Sequence, residues 1–115
     1  MGTLELATTL QKANNIRYLD ISANKVGSKA FAHIIKLISQ SVLNLHTFCC
    51  RKNELEGAQL EKCFLQLRST ESPLRVLDLK DNCLNNTNAQ EIVCVCEENI
   101  LLEQVDLTGN KDVHS

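Results

Sequence analysis

Residues 74–82 read Leu74-Arg75-Val76-Leu77-Asp78-Leu79-Lys80-Asp81-Asn82. Apolar side chains at the fourth and sixth places alternate with mainly polar ones at the third, fifth and seventh. That period of two describes a short strand with one buried face. The same form, L-x-x-L-x-L-x-x-N with other apolar residues allowed at the leucine places, recurs as Ile16–Asn24, Leu45–Asn53 and Leu102–Asn110. The asparagines stand at 24, 53, 82 and 110, giving steps of 29, 29 and 28 residues. A fixed period of this size makes each copy one supersecondary unit that buries its core only against its neighbours.

Between the strands the spacing changes. Ala30, Ile34, Leu37 and Ile38 recur at helical intervals, as do Leu60, Phe64 and Leu67, and Ala89, Ile92, Val93 and Cys96. Helices are expected near 28–40, 57–70 and 88–99, alternating with strands near 18–22, 47–51, 76–80 and 104–108. Ser28 is expected to cap the first helix, Asn88 and Glu91 to form a capping pair for the third, and Pro73 to stop the second. Asn85-Asn86-Thr87 fits a glycosylation sequon, but it stands alone and without a secretory signal, and is read as a loop into the third helix. Thr3 to Ala13, with Leu6 and Leu10 inward, reads as the helical half of an earlier repeat.

On its four motif copies the chain resembles the leucine-rich repeats, and among them the ribonuclease-inhibitor-like subfamily with its alternating 28- and 29-residue units. The resemblance covers essentially the whole sequence. It implies an α/β fold, a right-handed horseshoe segment with an inner parallel sheet and outer helices, occupying 1–115 as a single domain of about four repeats. It also implies that Asn24, Asn53, Asn82 and Asn110 form a buried ladder of side-chain amides bonding the backbone of adjacent turns. Neither end carries an evident polar cap, so the chain is expected to be a piece of a longer array, with other repeats or chains against its ends.

Composition narrows the function. The 14 acidic and 12 basic residues leave a formal charge of −2 with no basic field, which argues against nucleic acid as a partner. No apolar run approaches the ~20 residues that span a bilayer, and the N-terminus lacks the regions of a signal peptide, so no membrane is expected. Met1-Gly2 is not a myristoylation signal, because Leu6 occupies the place that requires Ser or Thr. Six cysteines would suggest disulfides in a secreted protein. Here Cys50 takes a core place, Cys83 follows an asparagine of the ladder and Cys96 is assigned to the inward helical face, so all are expected to be reduced fillers in a cytoplasmic protein.

No catalytic constellation emerges. Cys94-Val95-Cys96 lacks a second pair for zinc, and Cys49-Cys50 cannot supply one because adjacent strand residues face opposite ways. Cys49 shares its strand with His46 but would sit between Asp20 and Asp78, and flanking carboxylates disfavour a thiolate. His46, His33 and His114 have no assigned partner. The sequence has no nucleophile elbow, HExxH, Walker loop or dinucleotide turn. No catalytic residue, metal or cofactor is expected, and the protein is read as not an enzyme.

The third, fifth and seventh places face away from the core and are the candidate partner-binding residues: Tyr18, Asp20 and Ser22; Thr47, Cys49 and Arg51; Val76, Asp78 and Lys80; Gln104, Asp106 and Thr108. An acidic column, Asp20, Asp78 and Asp106, adjoins a basic one, Arg51 and Lys80. Either the columns meet a partner, or Asp78 simply neutralises Arg51 or Lys80 across the sheet. The resemblance implies a non-catalytic protein-interaction module using the concave face and rim loops. Alternatives are a regulator of a small GTPase, with Arg17 and Arg51 the arginines on or beside the first two strands, or a scaffold segment in a cytoskeletal or ciliary assembly.

Overall fold

A computed structural model describes residues 16–68 and 73–113. The helix expected over Thr3–Ala13 and the tail residue His114 lie outside them. Strands β1 (Tyr18–Asp20), β2 (Thr47–Cys49), β3 (Val76–Asp78) and β4 (Gln104–Asp106) form one parallel sheet in chain order. The register is that of the motif: Leu19, Phe48, Leu77 and Val105 align across the sheet, as do Asp20, Cys49, Asp78 and Asp106. Each strand spans three residues rather than five, but backbone pairing runs on past it. Ala23 donates to Arg51 O at 2.8 Å, Lys52 to Lys80 O at 3.1 Å and Asp81 to Thr108 O at 2.9 Å.

The chain then turns through a left-handed residue at the eighth motif place in every copy. Ala23, Lys52, Asp81 and Gly109 have φ of 59°, 53°, 56° and 81°. Three of these are not glycine, so their strain must be held by neighbouring contacts, and the asparagines at the ninth place supply them. The Asn53 amide oxygen accepts the N–H groups of Asn24 and Val26, both at 3.0 Å, while its nitrogen donates to Ile21 O and Arg51 O. Asn82 accepts from Asn53 and Leu55 and donates to Cys50 O, Leu79 O and Lys80 O. Asn110 accepts from Leu84 and donates to Leu79 O and Leu107 O. These three are buried. Asn24 is not: it is exposed and its nitrogen reaches only Ser22 O of its own turn, because the described residues supply no preceding turn for it to bond.

Among the described residues two helices cover one face of the sheet, α1 (Gly27–Ser39) and α2 (Asn86–Glu98). Ser28 does not cap α1; the helix starts from Val26 without a side-chain cap, and the buried Ser28 hydroxyl accepts the Glu56 N–H at 2.8 Å. Nor do Asn88 and Glu91 form the cap of α2. Asn85 is the N-cap and exchanges bonds of 3.1 and 3.0 Å with Asn88, so the expected loop is the first turn of the helix.

The helix expected over 57–70 is instead two 3₁₀ turns, Gly57–Leu60 and Phe64–Leu67. The break falls at Glu61, which is extended, and Lys62, whose φ is 66°. A broken helix leaves backbone groups without intrahelical partners, and α2 supplies them. Asn88 donates to Gly57 O at 3.2 Å, the Glu91 carboxylate accepts the Lys62 N–H at 2.6 and 3.0 Å, and Asn99 donates to Leu67 O at 2.8 Å. Leu60, Phe64 and Leu67 still reach the core.

The core lies between sheet and helices. All three phenylalanines meet there: Phe31 stacks on Phe48 at 5.9 Å and tilts against Phe64 at 5.8 Å. Leu45, Leu74, Leu77 and Leu79 fill it from the strand side, and Val26, Leu55 and Leu84, each two residues past an asparagine, close it beneath the turns. On α2 the inward residues are Asn88, Ile92 and Val95. Val93 is 55% exposed and Cys96 is exposed, against their expected inward placement. Asn88, Ile92 and Val95 take the places that Ala30, Ile34 and Leu37 hold 58 residues earlier, so Val93 and Cys96 lie on the flank of α2 beside its core face.

Candidate functional site

The face of the sheet that the helices leave open presents the third, fifth and seventh motif places in three aligned columns. The columns differ in exposure. Tyr18 is 61% exposed, and Asp20, Arg51, Gln104 and Thr108 are exposed. Ser22, Thr47, Val76, Lys80 and Asp106 are half-buried. Cys49 and Asp78 are buried, so neither is the open contact residue that period-two reading implies. Both lie under longer neighbours: the Cys49 thiol donates to the Tyr18 hydroxyl at 3.8 Å, and Asp78 lies beneath Arg51.

The acidic column serves the strands before it serves any ligand. Asp20, Asp78 and Asp106 each accept the N–H two residues ahead, from Ser22 at 2.9 Å, Lys80 at 3.2 Å and Thr108 at 2.9 Å. This satisfies the first donor of the turn at each strand exit. The Ser22 hydroxyl and N–H hold the Asp20 carboxyl below the usual range, and the Thr108 hydroxyl and N–H do the same for Asp106. Cys49 cannot do this for its own strand. The Arg51 N–H turns instead to Ser22 Oγ at 3.0 Å.

Charges are paired diagonally, each base reaching the acid of the following strand. Both Nε and Nη2 of Arg51 lie 2.6 Å from Asp78 Oδ2, and Lys80 Nζ lies 3.3 Å from Asp106 Oδ2. Of the two sequence-level alternatives for Asp78, neutralisation by Arg51 is the one this geometry displays. The two columns therefore largely cancel. Asp20 is the acid of the column with no ion pair among the described residues. The remaining openly presented groups are a phenol, an amide and a hydroxyl: Tyr18, Gln104 and Thr108. The Tyr18 phenol has its pKa raised, first by its hydrogen bond with Cys49.

The other candidate residues are committed elsewhere or lie apart. Arg17 Nη1 donates to Asn44 O at 3.3 Å, and Arg51 is held on Asp78. His46 is exposed on the strand approach. Cys94 and Cys96 are exposed on α2, away from Cys49, Cys50 and Cys63, which are buried. Burial pushes the Cys50 and Cys63 thiols up to about 12. Among the described residues no group of His, Cys, Asp or Glu is placed to hold a metal ion, and no helix is long and apolar enough to cross a membrane. A shallow cleft at the exits of β3 and β4 is lined by Asp81, Asn82, Cys83, Gly109, Lys111 and Asp112, a feature that motif reading does not single out.

Sequence reasoning assigned Asn88 and Glu91 to a helix cap and passed over Asn99; it did not find that all three hold the backbone of the 3₁₀ segment. Their signal was present: residues 88, 92, 95 and 99 follow the helical repeat, so two amides share one face with Ile92 and Val95. The chain matches no protein-family model, no curated protein and no solved structure.

Proposed function

We propose that the protein is a non-catalytic interaction module of leucine-rich-repeat type, a right-handed segment of an α/β solenoid whose open sheet face and adjoining turns bind another protein. The observation that carries this reading is the aligned presentation of Tyr18, Asp20, Gln104 and Thr108 on a sheet whose strand exits are pinned by buried asparagines. A face locked in this way is preorganised, so little ordering entropy is lost when a partner docks. Because Asp78 and Asp106 are already neutralised, the recognition is polar and aromatic rather than acidic, with Tyr18 as its anchor. A GTPase-activating role finds no free arginine at the described strands, since Arg17 and Arg51 are both engaged. The cytoplasm is the compartment this reading favours, where the six thiols stay reduced.

Hydrogen exchange of the protein bound to a partner isolated on the immobilised chain tests the reading. Protection over the turns that follow β1 to β4 supports it, and protection confined to α1 and α2 refutes it.

A further inference from the structure

Where the chain enters each strand, the second and third motif places form two adjoining rows across the sheet. The second-place row is Arg17, His46, Arg75 and Glu103, and the third-place row is Tyr18, Thr47, Val76 and Gln104. Paired donors hold the backbone under both. Arg17 O accepts the N–H groups of His46 at 2.7 Å and Thr47 at 3.1 Å, and His46 O accepts those of Arg75 at 2.9 Å and Val76 at 3.0 Å. Neighbouring places in each row therefore stand at the sheet spacing of ~4.8 Å.

The rows differ in chemistry. Arg17 and His46 are exposed and side by side, and among the described residues neither meets a carboxylate. Arg17 Nη1 donates to Asn44 O at 3.3 Å, a neutral partner that positions the guanidinium and leaves its charge uncompensated. Further along the row Arg75 is neutralised by Glu103 at 3.1 Å, so the positive part is confined to the entries of β1 and β2. Beside it the third-place row is largely apolar. The Tyr18 ring is 61% exposed, and Thr47 and Val76, both half-buried, add a methyl and an isopropyl group.

We propose that this rim binds an acidic peptide segment of a partner protein, one carboxylate lying against Arg17 and His46 and an apolar side chain two residues away covering Tyr18, Thr47 and Val76. An extended peptide presents such a pair on one face. Guanidinium and imidazole N–H groups both donate to a carboxylate, and the guanidinium bond is charge-assisted. Such a ligand presupposes the open sheet face proposed above as the binding surface and gives it a chemistry. Glu103 on the same row and the formal charge of −2 set the rim against a long polyanion.

Selection of random dodecapeptides displayed on phage against the immobilised full chain tests this. Enriched sequences are expected to carry Asp or Glu two residues from an aromatic or aliphatic residue, and the synthetic peptides should bind more weakly as sodium chloride rises. Arg17→Glu with His46→Gln should weaken them by about tenfold or more. Lys36→Glu, an equal charge change at an exposed residue of α1, should leave them within about twofold. Circular dichroism checks each fold; should the charge reversal unfold the chain, Arg17→Gln with His46→Gln is expected to show a loss in the same direction. Enrichment of basic or uncharged sequences, or of none, overturns the proposal. Peptides that survive the rim variant but are lost with Tyr18→Ala overturn it and leave the open-face reading standing, and peptides indifferent to both overturn both.

Discussion

Ser22 Oγ accepts the Arg51 N–H at 3.0 Å, filling on β2 the place that an aspartate fills on the other three strands. The departure from pattern at Cys49 is thereby compensated from the neighbouring copy. Ser22→Ala should cost about 1 kcal/mol, the worth of one hydrogen bond to an inner backbone donor. In a Cys49→Asp background the loss should shrink, because the introduced carboxylate would take the Arg51 N–H itself. A double-mutant cycle by urea unfolding reads the coupling; additivity would mean that the serine does not substitute for the carboxylate.

The asparagine ladder predicts a ranking. Asn53→Leu strands the N–H groups of Asn24 and Val26 and the carbonyl of Ile21, at ~1–3 kcal/mol for each buried group left unsatisfied, while the Arg51 carbonyl keeps the Ala23 N–H. Asn85→Leu removes one N-cap, about 1 kcal/mol. The urea midpoint should fall several times further for Asn53→Leu. Equal midpoints would show that the buried amide does not hold the turns.

Backbone strain at the eighth motif place gives opposite signs at two sites. Gly109 has a φ of 81°, and a Cβ there would meet the Asp81 carboxylate, so Gly109→Ala should destabilise by ~1 kcal/mol or more. Lys52 sits at φ 53° with an exposed side chain, so Lys52→Gly should be neutral or stabilise by up to ~1 kcal/mol. Melting temperatures of the two variants check the pair.

Thiol chemistry divides the cysteines into two sets. Iodoacetamide at mild alkaline pH should label Cys83, Cys94 and Cys96 in the native protein and reach Cys49, Cys50 and Cys63 only on unfolding. Alkylation of denatured, unreduced protein should add six labels; four would reveal a disulfide. Burial raises the Cys50 and Cys63 thiols from 9.0 to about 12, so folding binds their protons more tightly. Stability should therefore hold below pH 9 and decline as pH rises toward 12. Replacing both by alanine should lessen that alkaline decline, leaving the part that comes from the raised Tyr18 phenol.

The strands, their parallel order and three of the four ladder asparagines were readable because an apolar alternation and an amide repeat at one period, and period-two side chains can only be buried on one face. Asn24 lies at the edge of the described residues, which hold no preceding turn for it to bond. The helical segments were less readable for a different reason. At 57–68 the apolar spacing of Leu60, Phe64 and Leu67 fits both an α-helix and a pair of 3₁₀ turns. The choice rests on Asn88, Glu91 and Asn99, which lie one repeat later. Val93 and Cys96, which periodicity alone assigned to the core, lie on the flank of α2, because a core place and a side-facing place share the same helical spacing. On the open face, local patterning located Asp78 and Arg51 in their columns but not the 2.6 Å pair that removes both from the free charge of the surface.

The central claim is that the open sheet face recognises a protein through Tyr18 and Gln104. It is tested most directly by the affinity of a partner isolated on the immobilised chain. Tyr18→Ala with Gln104→Ala should weaken binding by about tenfold or more, the scale of a truncated aromatic anchor. Glu61→Ala with Glu97→Ala, exposed residues on the helical side, should leave it within about twofold. A partner that ignores the sheet pair and is lost with the helical pair would contradict the account.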